Sequence, residues 1–323
     1  MSSIGSAPRL IALDWGTSSL RAYLLGDVGI VLERRAEPLG ILQVPDRDFR
    51  TVFESLVGEW RARHPALPAL AAGMIGSAQG WVEAPYASLP ADVASVARAL
   101  VTVPDVGLRI VPGLAQRDGV PDVMRGEETQ LFGALAASAA LAEGGVAVLP
   151  GTHAKWARLA RGRVERFTTY MTGELFAVLS RHSILGRLGG PRGGDVAPGA
   201  AFARGVRHAR DVTGGLANLV FTARSAVLVG DLPAEDSLEY LSGILIGDEV
   251  RAGLAAGDRP TVLIGEPALC DRYAAALAEF GVGDVALLGD TAPAGLWQIA
   301  LQAFPELQRA DGSERRSVSD RVN

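Results

Sequence analysis

The sequence predicts an α/β protein of two related domains, each built on a sheet and each carrying one loop shaped to grip phosphate. Three observations predict it. A strand–loop–strand–turn–strand hairpin occurs twice, as LIALDWGTSSLRAYLLGDVGIVLERR over residues 10–35 and as VAVLPGTHAKWARLARGRVERFTTY over residues 146–170. Each copy sets a Gly-Thr loop after a buried apolar strand, where backbone N–H groups and hydroxyls can turn toward phosphate oxygens. The elements that follow the first hairpin recur after the second, and a chain of 323 residues has room for two domains of ordinary size.

Taken in order, residues 10–13, 20–25 and 30–34 read as a meander of three strands separated by DWGTSS and GDVG. Residues 46–64 carry Phe49, Val52, Phe53, Leu56, Val57 and Trp60 at helical spacing, bounded by Pro45 and Pro65. A short buried strand, 69–75, runs into the loop GSAQGW; a helix over 91–100, a strand over 108–111 and a helix over 127–141 complete the half. The second half repeats the order. Strands at 146–149, 155–159 and 164–169 lead into helical segments from Gly173. A helical insertion precedes strand 261–264, helix 268–280, strand 285–288 and helix 293–303. Within the insertion, a helix over 234–256 shows an apolar stripe of Leu238, Leu241, Leu245 and Ile246, which reads as core. The glycine- and proline-rich stretch 186–199 reads as a mobile loop. The domains are therefore placed at 1–143 and 144–308, with 309–323 as a frayed polar tail.

Composition narrows the function. Hydrophobic content of 48% with 21% charged residues is that of a packed globular protein. A formal net charge of −5 argues against a nucleic-acid or anionic-membrane partner. The single cysteine, Cys270, fits a reducing, cytoplasmic compartment. The start of the chain lacks the basic-then-apolar pattern of a secretory leader. The most apolar run, 131–149, is interrupted by Glu143, Gly144 and Gly145 and reads as a helix followed by a strand. The four histidines and Cys270 show no zinc spacing. A homo-oligomer is compatible with all of this.

The set DWGTSSLRA, AAGMIGSAQGW, VMRGEETQLFGA, PGTHAKW, YMTGEL, LSGILIGDEV and GDTAPAG, spread from about residue 10 to 303, resembles the 2-dehydro-3-deoxygalactonokinase family. That family lies within the acetate/sugar kinase–actin superfamily. The resemblance implies two duplicated ribonuclease-H-like (actin-like ATPase) domains with ATP and Mg²⁺ in a central cleft. It further implies phosphorylation of the C6 hydroxyl of 2-dehydro-3-deoxy-D-galactonate in galactonate breakdown. The nucleotide loops do not read the acceptor, so a kinase for a different sugar or sugar acid is the alternative. A non-catalytic sugar-binding regulator on the same fold is a third reading.

The resemblance places Asp14 near metal and phosphates through water, and Gly16, Thr17 and Ser18 on the ATP phosphates, with Arg21 reaching them. A lone carboxylate suits Mg²⁺, which keeps several waters; a turn-stabilising Asp is the plain alternative. Gly151 and Thr152 fall beside the γ-phosphate, and His153 or Lys155 could neutralise charge there, although a solvated strand lysine explains Lys155 equally well. Related kinases have Gly-Asp-Gln where this chain has Gly126-Glu127-Glu128, so the base that accepts the sugar hydroxyl proton is Glu127 or, second, Glu128. Adjacent helix residues point about 100° apart, so one of them faces the substrate; both could instead simply complement the helix N-terminus. Arg125 is the candidate for a substrate carboxylate, because its planar fork binds two oxygens at once. Gly76, Ser77 and Gln79 match sugar-contacting positions, with Trp81 either an apolar wall or core. Thr172 and Glu174 either line the pocket or cap the following helix. Gly265 and Glu266 correspond to the adenosine turn, and Gly289-Asp290-Thr291 to the start of a second crossing helix, read as a hinge first and a nucleotide contact second.

Overall fold

The structure is a computed structural model and describes residues 6–188 and 197–308. Most of the stretch read as a mobile loop and the whole tail 309–323 lie outside the described residues. In chain order the first part comprises β1 (Leu10–Trp15), β2 (Leu20–Leu25), β3 (Val31–Glu37), α1 (Phe49–Arg63), β4 (Ala69–Ala72), β5 (Ala87–Ser88), α2 (Val93–Arg98), β6 (Val101–Thr102), β7 (Leu108–Ile110), β8 (Leu114–Gln116), β9 (Asp122–Met124), α3 (Glu127–Ala137) and α4 (Ala139–Glu143). The second comprises β10 (Gly144–Leu149), β11 (Ala154–Ala160), β12 (Arg163–Tyr170), α5 (Thr172–His182), α6 (Ala200–Asp211), α7 (Leu216–Leu228), α8 (Ser237–Ala255), β13 (Val262–Ile264), α9 (Pro267–Glu279) and β14 (Ala286–Leu288), before the last long helix α10 (Ala292–Ala303).

Two compact units result. Unit 1 takes the chain up to Glu143, the segment Ala160–Arg166 and everything from Thr291; unit 2 takes Gly144–Leu159 and Phe167–Asp290. The sequence reading ran its second domain through to 308, whereas the contacts of α10 group that helix with unit 1.

In unit 1 the sheet order is β3-β2-β1-β4-β7-β6. Short turns force β1, β2 and β3 to pair antiparallel, while the α1 crossover returns the chain so that β4 lies parallel to β1 and β7 parallel to β4. The α1 stripe of Phe49, Val52, Phe53, Leu56, Val57 and Trp60 closes one core with Ile11, Leu13 and Trp15. In unit 2 the order is β12-β11-β10-β13-β14, again with the fourth and fifth strands parallel to their neighbours. Read outward from the hairpin, the first five strands of the two sheets follow one order. α8 forms the spine of the insertion: Tyr240, Leu241, Ile244 and Leu245 pack with Leu219 and Ala223 of α7.

Several boundaries shift for local reasons. The strand expected to run to residue 75 stops at Ala72, because Gly73 has φ +96°. The helix expected over 127–141 breaks at Ser138, whose extended backbone ends α3 and whose Oγ accepts the Leu141 N–H at 3.2 Å to start α4. α2 is shorter than the expected 91–100, since Asp92 and Ser95 form a capping box that fixes its start. A small sheet of order β5-β8-β9 went unforeseen: its strands of two or three residues are too short to show alternation.

α3 and α10 cross at unusually close range within unit 1. A Cβ on Gly133 would lie 2.0 Å from the Thr291 carbonyl oxygen, and one on Gly295 only 1.8 Å from that of Thr129. The Thr291 hydroxyl donates to the Gln130 carbonyl at 2.8 Å.

Candidate active site

Unit 1 gathers Asp14, the first Gly-Thr loop and the start of α3. Asp14 sits at the end of β1, partly exposed, with Arg21 Nη1 on its Oδ2 at 3.4 Å. The loop is a tight turn closed by Gly16 N–H on Ser19 O at 2.9 Å. Its carbonyls are turned away by their own partners: Gly16 O accepts from Ile41 N at 3.0 Å and Thr17 O from Leu42 N at 3.4 Å. Thr17 and Ser18 are exposed. A phosphate would meet hydroxyls and N–H groups there, and few carbonyl lone pairs.

Gly73 and Gly126 bring the α3 N-terminus up to this loop. A Cβ on Gly126 would lie 3.3 Å from the Gly73 Cα, and one on Gly73 would lie 3.5 Å from Asp14 Oδ1. Gly126 has φ +106°, a conformation that an L side chain rarely adopts. The two glutamates diverge as helix geometry requires. Glu128 is fully buried; its Oε2 accepts the Gly126 N–H at 2.7 Å and its Oε1 accepts from the Thr129 hydroxyl at 3.1 Å. Burial, with the neighbouring Glu127 carboxylate, pushes Glu128 up to about 8. Glu127 is half-buried, and its Oε2 accepts the Arg125 N–H at 3.0 Å.

Arg125 is 9% exposed and its guanidinium lies 4.4 Å from the Tyr86 ring centre. Nη2 donates to Ala84 O at 2.8 Å, while Nε and Nη1 have no hydrogen-bond partner. The Ser77 hydroxyl, also buried, has none either. Gly76 lies between these groups: a Cβ there would sit 2.9 Å from Arg125 Nη1. A buried guanidinium with two unmet N–H positions is costly unless a ligand supplies acceptors. Gln79 is exposed on the same turn. Trp81 packs at ring-centre distances of 5.8–6.5 Å against Phe53, Phe49 and Trp15, as part of the core.

Unit 2 builds its own site around the second loop. A cavity of about 380 Å³ is lined by Gly151, Thr152, Thr172, Glu266, Arg272 and Tyr273, among others. Thr152 O accepts from Glu174 N at 3.0 Å, which turns this carbonyl aside as Leu42 does for Thr17. His153 pairs with Glu174 through Nε2 and Oε2. Lys155 is buried at 3% exposure, and its ammonium donates to His153 O at 2.9 Å, so it is not the solvated strand lysine that the sequence allowed. Thr172 does not cap α5; its hydroxyl donates to the buried Glu249 carboxylate. Gly265 has φ +142° and opens the turn into α9. Glu266 caps that helix, accepting the Leu269 N–H at 2.9 Å. A larger hollow of about 560 Å³ lies among α6, α7 and the start of α8, but its arginines are paired, Arg204 with Asp231 and Arg207 with Glu279.

Sequence reasoning missed Tyr86 and Glu249. Tyr86 sits in an irregular segment with no periodicity to read. Glu249 did carry a signal: it stands four residues after Leu245 and so continues an apolar helix stripe with an acid. Among the described residues no group of three or more His, Cys, Asp or Glu could hold a metal ion, and no helix is long and apolar enough to cross a membrane.

Loops, carboxylates and a buried arginine of these kinds are groups that a carbohydrate kinase uses. Comparison with known proteins agrees. A family profile described as 2-keto-3-deoxy-galactonokinase matches residues 14–299. The chain is 40% identical over 301 residues to a Rhizobium meliloti (strain 1021) protein named "Probable 2-dehydro-3-deoxygalactonokinase DgoK1", covering 91% of this chain and 97% of that one. It is 38% identical over 297 residues to the 2-dehydro-3-deoxygalactonokinase of Escherichia coli (strain K12), covering 90% and 97%. A Sinorhizobium meliloti crystal structure described as that of "a putative 2-dehydro-3-deoxygalactonokinase protein" superposes with a TM-score of 0.83 at 38% identity, over 92% of this chain and 99% of that one. The chain belongs to the 2-keto-3-deoxy-galactonokinase family.

Proposed function

We propose that this protein transfers the γ-phosphoryl group of ATP to the C6 hydroxyl of 2-dehydro-3-deoxy-D-galactonate, in galactonate breakdown in the cytoplasm. The family and the names of its relatives support the reaction. The observation that carries the acceptor's chemistry is the Arg125 guanidinium, buried with Nε and Nη1 unmet, in a residue whose backbone N–H donates to the Glu127 carboxylate. Either unmet nitrogen can donate a charge-assisted hydrogen bond to a substrate carboxylate, which a neutral sugar cannot reproduce. Ser77 offers a hydroxyl to the same ligand.

In the reaction the sugar oxygen forms its bond to the γ-phosphorus as the bond to the β,γ-bridging oxygen breaks, and ADP leaves. Glu127 accepts the hydroxyl proton; its neighbour Glu128, buried and bonded to Gly126 and Thr129, holds the helix end. Thr17, Ser18, Gly151 and Thr152 receive phosphate oxygens, with Arg21, His153 and Lys155 supplying positive charge near them. Catalysis of this kind is mainly positioning and charge stabilisation. One carboxylate, Asp14, suits an ion that keeps most of its waters and binds chiefly to phosphate, so Asp14 would hold Mg²⁺ through water. When bound, that ion neutralises phosphate charge. The common strand order of the two sheets supports reading them as duplicated ribonuclease-H-like domains of the actin-like ATPase kind.

A coupled assay for ADP release tests the proposal, run with 2-dehydro-3-deoxygalactonate, other sugar acids, and glycerol, xylulose and galactose. The 2-keto-3-deoxy acid should lead in kcat/KM. Equal turnover of a neutral sugar would reject the acceptor, and no ADP release with any of them would favour a non-catalytic regulator.

A further inference from the structure

Glu249 lies inside unit 2, at 2% exposure, two turns before the end of α8. Its Oε1 accepts Trp156 Nε1 at 2.7 Å; its Oε2 accepts Tyr273 OH at 2.7 Å and the Thr172 hydroxyl. Those three donors come from β11, α9 and α5. Each element borders the second phosphate loop. β11 begins directly after the loop, at Ala154. α5 lies on it so tightly that a Cβ on Gly173 would sit 2.4 Å from Gly151 O and 2.8 Å from the Thr152 Cα. Tyr273 of α9 lines the cavity that the loop opens into.

We infer that Glu249 is a positioning residue for the nucleotide, a buried carboxylate that fixes the second phosphate loop by tying together the three elements around it. The inference rests on the kinase reading. Glu249 does not line the cavity, so it acts through Thr172, Tyr273 and the strand carrying Trp156. A buried carboxylate is a poor stabiliser when apolar packing could fill the same space. What it supplies instead is direction, because three donors converging on two oxygens allow few arrangements. Burial also raises the Glu249 carboxyl to about 7. Its bonds do not depend on charge alone, since a carboxylic acid still offers acceptors.

The chemistry of the donors dictates the test. Trp156 Nε1 can only donate, so in Glu249→Gln the amide oxygen must face it, leaving the NH₂ toward two hydroxyls that can turn to accept. That variant should keep the network. Glu249→Met has similar bulk but takes the shared acceptor away from all three donors. Titration calorimetry with Mg·ADP, well below each variant's melting temperature, should show binding within about threefold of wild type for Glu249→Gln. It should be weakened on the order of tenfold or more for Glu249→Met, as expected when a binding loop is displaced by a fraction of an ångström. The KM for the sugar acid should stay close to that of wild type in both. Trp156→Phe, which removes one donor from outside the cavity, should weaken Mg·ADP in the same sense and carries the test should Glu249→Met not fold. A purely stabilising role would lower the melting temperature and leave Mg·ADP affinity unchanged in every folded variant, which would overturn the inference. Absence of Mg·ADP binding by the wild type would instead remove the kinase reading beneath it.

Discussion

Replacing Glu128 by Gln separates the two neighbouring acids of α3 by physics as well as by activity. Glu128 is fully buried, and burial beside Glu127 moves its carboxyl from an ordinary 4.5 up to about 8. A folded-state value above the unfolded one means that the native protein holds the proton more tightly. The stabilisation is complete below about pH 4.5 and is lost as pH rises through about 8. At about 1.4 kcal/mol per pH unit, the span from 4.5 to about 8 sets a ceiling of roughly 5 kcal/mol, and an effect of a few kcal/mol is the working expectation. Gln keeps both contacts, its oxygen accepting the Gly126 N–H and its amide facing the Thr129 hydroxyl, but cannot ionise. Thermal melts should therefore show Glu128→Gln close to wild type at pH 5 and higher by on the order of 5–10 °C at pH 8.5. In the kinase assay the same variant should be mildly affected, whereas Glu127→Gln should lose roughly 10²–10⁴ in kcat while still binding nucleotide. Parallel pH–stability curves for wild type and Glu128→Gln would refute the burial argument. A larger loss of kcat in Glu128→Gln than in Glu127→Gln would make Glu128 the base.

Arg125→Ala should raise the KM for the sugar acid by on the order of 10²-fold with a smaller change in kcat, and should flatten the preference over neutral sugars. A preference that survives the substitution would move the carboxylate site to another arginine. Gly295→Ala should lower the urea midpoint, corresponding to roughly 1–3 kcal/mol, because its Cβ would lie 1.8 Å from the Thr129 carbonyl oxygen and the two helices must part. An unchanged midpoint would mean that the α3–α10 crossing is looser than described.

Much of this architecture was legible because its signals are periodic or local. The two hairpins announced themselves through apolar runs around Gly-Thr, and the α1 stripe from Phe49 to Trp60 was readable to the residue. The site was legible only as far as residue type goes. Sequence offered Glu127 and Glu128 as near-equals; their burial, which separates them, comes from what packs on α3. Lys155 alternates in a strand where an outward side chain was a fair reading, yet it is buried and bonded to the loop backbone. Thr172 read as either a pocket residue or a helix cap; it lines the cavity of unit 2, and the partner of its hydroxyl, Glu249, lies 77 positions away in the chain. Contacts of that range leave no trace in local pattern, apart from the oddity of an acid on an apolar stripe.

The discontinuity of unit 1 has a consequence for how the protein is made. Its sheet and α1 are encoded before residue 143, but α10, which closes against α3, begins only at Ala292. A ribosome that has delivered the whole first sheet has therefore not delivered the means to finish it. Leu296, Ile299 and Ala300, all fully buried in the folded chain, are still to come. Unit 2, apart from the excursion at Ala160–Arg166, is emitted in one stretch between the two parts of its neighbour. Vectorial synthesis thus obliges the N-terminal unit to wait in an incomplete state while some 150 further residues emerge, about eight to thirty seconds at roughly 5–20 residues per second. Over that interval the faces of α3, α2 and the first sheet that α10 covers stay open, and a truncation just before Thr291 would make the delay permanent.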